Sequence, residues 1–191
     1  MPGRTTSREA ILAATRRAIV ERGPEKLTLS AIAAAAGVSR PTLYRWFPTK
    51  QELLAAISAY EEEQFDIGLR TVIEAHRSPA RRLDAALHYV VTYLDGLMGP
   101  DPIGTDPQFA LESLARSLPR QVEALVRLLG DAFQQVPAVR NGDLTSAQAA
   151  ELFMRMAYSH YLVPHPEPEV LLANLRSFAG LSRRAAIRAT G

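Results

Sequence analysis

Helix-starting and helix-ending residues punctuate this chain from end to end, and between them the apolar residues recur at helical spacing, with no alternating run of useful length left for a strand. The expected fold is therefore all-α. Ile11, Leu12, Ala14, Thr15, Ala18 and Ile19 mark one buried stripe that Gly23-Pro24 ends. Thr28 caps a short helix through Ala36, with Gly37 as its left-handed exit. Ser39 caps the next, with Pro41 tolerated in its first turn and Pro48 stopping it after Phe47. Thr49-Lys50-Gln51-Glu52 is a capping box opening a long helix towards His76. Ser78-Pro79 starts a fifth helix whose Leu83, Leu87, Val90, Val91, Leu94 and Met98 read as central core, broken at Gly99-Pro100-Asp101-Pro102.

Further helices are expected from Asp106-Pro107 to about Arg116, from Pro119 to about Gln135, and from the Thr145/Gln148 capping box to about Leu162. The stiff link Pro164-His165-Pro166-Glu167-Pro168 leads to a last helix with Leu171, Leu172, Leu175, Phe178, Ala179 and Ser182 on one face. That makes about nine helices. At 191 residues and 47% hydrophobic, the chain has enough apolar material for a real core. Its longest apolar stretch, Ala31 to Val38, is far shorter than the ~20 residues that span a bilayer. The polar start Met1-Pro2-Gly3-Arg4 lacks the apolar region of a secretory signal, so a cytoplasmic protein with no membrane partner is expected. The chain has no cysteine, which excludes disulfides, thiol nucleophiles and iron–sulfur clusters.

Charge is unevenly spread. Residues 1–50 hold nine Lys/Arg against three acids, a net +6, so residues 51–191 must carry −4 to give the overall +2. A basic head on a mildly acidic body suits a nucleic-acid reader, because only the face that meets phosphates gains from counterion release. The second and third helices supply that face. They are short and joined through Gly37, as a helix-turn-helix requires; Ala33 is small enough for close approach, and Ile32, Val38 and Leu43 hold the crossing angle. Helix three cannot bury everything it carries. Arg40, Thr42, Tyr44, Arg45 and Trp46 combine hydrogen-bond donors with aromatic rings, a costly set for a face that meets only water.

The stretch Thr28-Leu29-Ser30-Ala31-Ile32-Ala33, followed by Gly37-Val38-Ser39-Arg40-Pro41-Thr42-Leu43-Tyr44-Arg45-Trp46-Phe47-Pro48-Thr49-Lys50-Gln51-Glu52-Leu53-Leu54, resembles the TetR family of transcriptional regulators. The likeness covers about residues 8–55. It implies a helix-turn-helix DNA-binding domain over 1–50 and a ligand-binding and dimerisation domain over 51–191. In such a layout Arg40 reads a guanine edge, while Pro41 and Thr42 meet a thymine methyl, bases or phosphates. Tyr44 and Trp46 aim their polar tips at the backbone, Lys50 meets a phosphate at a helix start, and Thr28 and Ser30 add contacts at the head of helix two.

Reading two half-sites of a palindromic double-stranded operator requires two rigidly held copies, so a homodimer is expected. Leu152, Phe153, Met156, Leu171, Leu172, Leu175 and Phe178 of the last two helices are candidates for half of an intermolecular four-helix bundle. Phe65, Tyr89, Tyr93, Phe109, Phe133, Met154 and Tyr158 are candidates to line a chiefly apolar cavity for a small-molecule effector. His76, His88, His160 and His165 form no i, i+4 metal pair, and His88 shares a face with Asp84 and Asp95, so they read as surface histidines. No phosphate loop or nucleophile elbow occurs, and neither catalysis nor a cofactor or metal is expected. The expected function is a repressor released by a hydrophobic ligand; the alternative is a DNA-binding dimer under a protein partner, or an activator without an effector.

Overall fold

The computed structural model describes residues 7–97, 107–163, 167 and 169–181. Met98, the breaker Gly99–Pro102, the start at Asp106, His165 with most of the proline-rich link, and Ser182 lie outside them. Helices α1 (Ser7–Arg22), α2 (Leu29–Ala35), α3 (Arg40–Trp46), α4 (Lys50–Glu74) and α5 (Pro79–Leu97) are followed by α6 (Pro107–Leu129) and a 3-10 turn (Gly130–Gln135). Then come α7 (Pro137–Arg140), α8 (Ser146–Leu162) and α9 (Glu169–Phe178). The fold is all-α, with no strand among the described residues.

Two compact units divide the chain: Met1–Glu63 with Met98–Ala110, and Gln64–Leu97 with Leu111–Gly191. The first unit therefore runs past the expected boundary at residue 50, because α4 lends it core residues. Leu53 and Ile57 are 1% and 5% exposed and join Ile11, Leu12, Leu27, Ile32, Ala33, Leu43 and Phe47 in one apolar cluster. Each of the Leu, Ile and Phe side chains contributes about 1.5–3 kcal/mol on burial. In the second unit α5 is the central element: Leu83, Ala86, Leu87, Val90 and Leu94 are buried, and the helix packs on the 3-10 turn, α8 and α9.

Two expected helices are one. The segments meant to end near Arg116 and restart at Pro119 form the unbroken α6, with Pro119 inside it. Burial explains why: Ala110, Leu114, Gln121, Ala124, Leu125 and Leu129 keep a single helical stripe across the proline, whose own side is exposed. The α-helix then stops at Leu129, short of Gln135, because Gly130 adopts φ +50° and the chain tightens into the 3-10 turn. Pro137 opens the short α7, which the sequence pattern had not separated.

Candidate nucleic-acid interface

Local chemistry sets the two-helix unit before any packing. Thr28 Oγ1 accepts the Ala31 amide at 3.2 Å and caps α2, and Ser39 Oγ accepts the Thr42 amide at 3.3 Å and caps α3. Between them Gly37 takes φ +66°, which lets Val38 donate its N–H back to the Ala33 carbonyl at 3.0 Å and close the turn. Leu43 and Phe47 pin α3 inward at 0% and 4% exposure. With about 100° between successive residues, Pro41 and Arg45 lie opposite Leu43, with Thr42 and Tyr44 on the flanks.

The outward face matches the expectation at most positions. Arg40, Pro41, Tyr44, Arg45 and Trp46 are exposed, the two aromatics at 47% and 44%, and Thr42 is half-buried with its Oγ1 2.8 Å from Ser39 Oγ. Ser30 is half-buried on the first turn of α2. Two positions carry structural work as well. Thr28 spends its hydroxyl on the cap, and the half-buried Lys50 donates from Nζ to the Glu25 carbonyl at 3.1 Å, tying the loop after α1 to the start of α4. Arg45 was not among the candidate contacts although it is exposed and faces away from the core. Its i+2 spacing from Leu43 was the signal.

The effector candidates fall into several environments. Phe65, Tyr89 and Tyr93 form an aromatic cluster with ring centroids 5.0–5.7 Å apart. Phe133 and Met154 are wholly buried, and Tyr158 donates its hydroxyl to Gln121 Oε1 at 2.5 Å. Phe109 lies in the first compact unit, the other six in the second. Burial pushes the Tyr158 phenol far above its ordinary range. Of the interface candidates, Phe153, Leu171 and Leu175 are 1%, 7% and 0% exposed within the single chain, so they belong to its own core. Leu152 and Phe178 are exposed at 38% and 41%, while Met156 and Leu172 are half-buried. The ring of Phe178 meets Phe153 edge-on at 5.7 Å.

A capped two-helix unit with a cationic and aromatic outer face, on a basic head, defines a helix-turn-helix DNA-binding protein. Residues 11–57 match the family model for bacterial regulatory proteins of the tetR family. The repressor KstR of Mycobacterium tuberculosis is 28% identical over 179 residues, 93% of this chain and 72% of that one. The uncharacterized HTH-type transcriptional regulator Mb2274c of Mycobacterium bovis is 30% identical over 139 residues, covering 70% of this chain and 69% of that protein. The crystal structure of AibR in complex with isovaleryl coenzyme A and operator DNA shares the fold, with a TM-score of 0.59 at 22% identity over 92% of this chain and 97% of that one. The chain belongs to the TetR family and is a DNA-binding transcriptional regulator. No helix among the described residues is long and apolar enough to cross a membrane.

Proposed function

We propose that this protein is a ligand-responsive repressor that binds a palindromic operator as a homodimer. The observation that carries the reading is the position of α4. Helix α3 ends at Trp46 and α4 starts at Lys50, and Leu53 and Ile57 sit in the head's core, so a tilt of α4 drags the DNA-reading helix with it. Arg16 on α1 adds an ion pair to Glu61 of α4 at 3.0 Å. Further along, the same helix carries Phe65, Leu69 and Ile73 as buried residues of the second unit. A ligand that favours the DNA-incompetent tilt about 100-fold weakens operator binding by up to ~2.7 kcal/mol. That KstR is a repressor, and that AibR was crystallised with both an acyl-coenzyme A and operator DNA, supports the same arrangement for this chain.

In this reading Arg40 contacts a base edge, Pro41, Thr42 and Arg45 meet bases or phosphates, and Tyr44, Trp46, Lys50, Ser30 and Thr28 position the backbone. Leu152, Met156, Leu172 and Phe178 meet their symmetry mates. Selection of bound fragments from random duplex DNA tests it. Inverted repeats with half-site centres about 34–36 Å apart are the expected product, bound two chains at a time. Enrichment of unrelated sequences, or tight binding by a single chain, overturns the reading.

A further inference from the structure

The second unit contains a groove of about 560 Å³ between the end of α4, with the two residues after it, and the stretch of α5 from Arg81 to Thr92. Its apolar walls are Val72, Ala75, Ala85 and the ring of Tyr89, and His76, Arg81, Asp84 and His88 stand among them. A neighbouring hollow of about 320 Å³ shares His76 and adds Arg70, Glu74, Arg77 and Arg82, of which Arg70 is within 3.9 Å of Glu74 and Arg82 pairs with Asp131 at 3.0 Å. Volumes of this order hold small organic ligands.

The charge of the groove is decided by one pairing. Arg176 of α9 grips Asp84 through two hydrogen bonds, Nε to Oδ1 at 2.5 Å and Nη2 to Oδ2 at 3.0 Å, so the one carboxylate in the groove is neutralised from outside it. Arg81 is exposed, and among the described residues no carboxylate pairs with its side chain. Its guanidinium is the one unpaired charge among the groove's lining side chains, and the two imidazoles and the Thr92 hydroxyl add further hydrogen-bonding groups. The aromatic wall is held in place. Tyr89 donates its hydroxyl to the Gln64 carbonyl at 3.3 Å and lies directly over Gly68, where an added Cβ would come within 2.2 Å of the phenolic oxygen. Only glycine permits that approach.

We infer that this groove binds a small amphipathic oxyanion: a carboxylate or phosphate head against Arg81 and the histidines, with a short apolar or aromatic body against Tyr89, Val72 and Ala85. The inference goes beyond the effector reading, because binding here does not depend on what the chain does to DNA.

Fluorine NMR on the full chain, free of DNA, tests it with 4-fluorobenzoate as probe and 4-fluorobenzamide as the uncharged counterpart. At about 10 mM the benzoate resonance broadens and shifts with the wild-type chain, and the amide binds at least about tenfold more weakly. Arg81→Glu lowers benzoate affinity by about tenfold or more, whereas Arg140→Glu, on the exposed side of α7, leaves it unchanged. Ala85→Trp fills the groove and abolishes binding with the thermal transition retained. Equal binding of benzoate and amide, an Arg81→Glu chain that binds as the wild type does, or no benzoate binding at all overturns the inference. Fragment selection is scored separately, so loss of this site and loss of the DNA-binding reading are told apart.

Discussion

Arg40 and Lys50 are cations at the starts of neighbouring helices, yet their surroundings give them different work. Arg40 is exposed, whereas Lys50 already holds the Glu25 carbonyl. Arg40→Ala is expected to cost about 1–3 kcal/mol on the selected operator and to relax preference at one position per half-site; equal loss on scrambled duplex would argue against base reading. Lys50→Ala should weaken all sequences alike and reduce the salt slope by about one, and an unchanged slope would assign Lys50 to the loop tie alone. A second contrast lies in the core. Tyr158 donates its hydroxyl proton to Gln121 Oε1, but the buried Tyr161 hydroxyl has no hydrogen-bond partner among the described residues. Tyr158→Phe should therefore cost about 1–3 kcal/mol in urea unfolding by stranding Gln121, while Tyr161→Phe should be neutral or stabilising.

At the scale of elements most caps and breakers act as expected, although Thr49 and Glu52 form only half of their capping box, the Glu52 amide donating to Thr49 Oγ1 at 3.1 Å. Thr28, Ser39 and Thr145 each cap the helix expected of them, and Thr145 with Gln148 completes both halves of a capping box at 3.2 and 2.8 Å. Gly37→Ala is expected to cost about 1–2 kcal/mol, from backbone strain alone, since beyond the adjoining residues no atom lies within 4 Å of the added methyl group. Pro119 was the failure of this logic. A proline is a local obstacle worth about 3 kcal/mol inside a helix, and the buried stripe from Ala110 to Leu129 outweighs it. Pro119→Ala should accordingly raise thermal stability, by about 1–3 kcal/mol at the midpoint; a lower midpoint would mean that the proline is needed to shape α6.

At the scale of the whole molecule, the distribution of charge and the exposed apolar residues point to assembly. The +6 of the first fifty residues concentrates attraction for phosphate on the head. Leu152 and Phe178 remain exposed on α8 and α9 after the single chain has buried Phe153, Leu171 and Leu175. If the proposed homodimer forms through this face, Leu152→Glu combined with Phe178→Glu should leave single chains in sedimentation equilibrium and cost at least about tenfold in operator affinity, with helicity retained. A dimer that persists would move the interface elsewhere.

Residues 28 to 54 were legible as a DNA-reading unit because their information is local: caps, one left-handed glycine and an i, i+4 apolar stripe act over a few residues and need no distant partner. The second unit was legible only as helices. Which aromatic is core and which lines a groove depends on neighbours far along the chain: Asp84 is neutralised by Arg176, ninety-two positions away, and Tyr89 finds its place because Gly68 leaves room. Helical periodicity specifies a buried face but not what that face meets, so the groove beside Tyr89, the division at Glu63 and the passage of α6 through Pro119 were decided by tertiary packing alone.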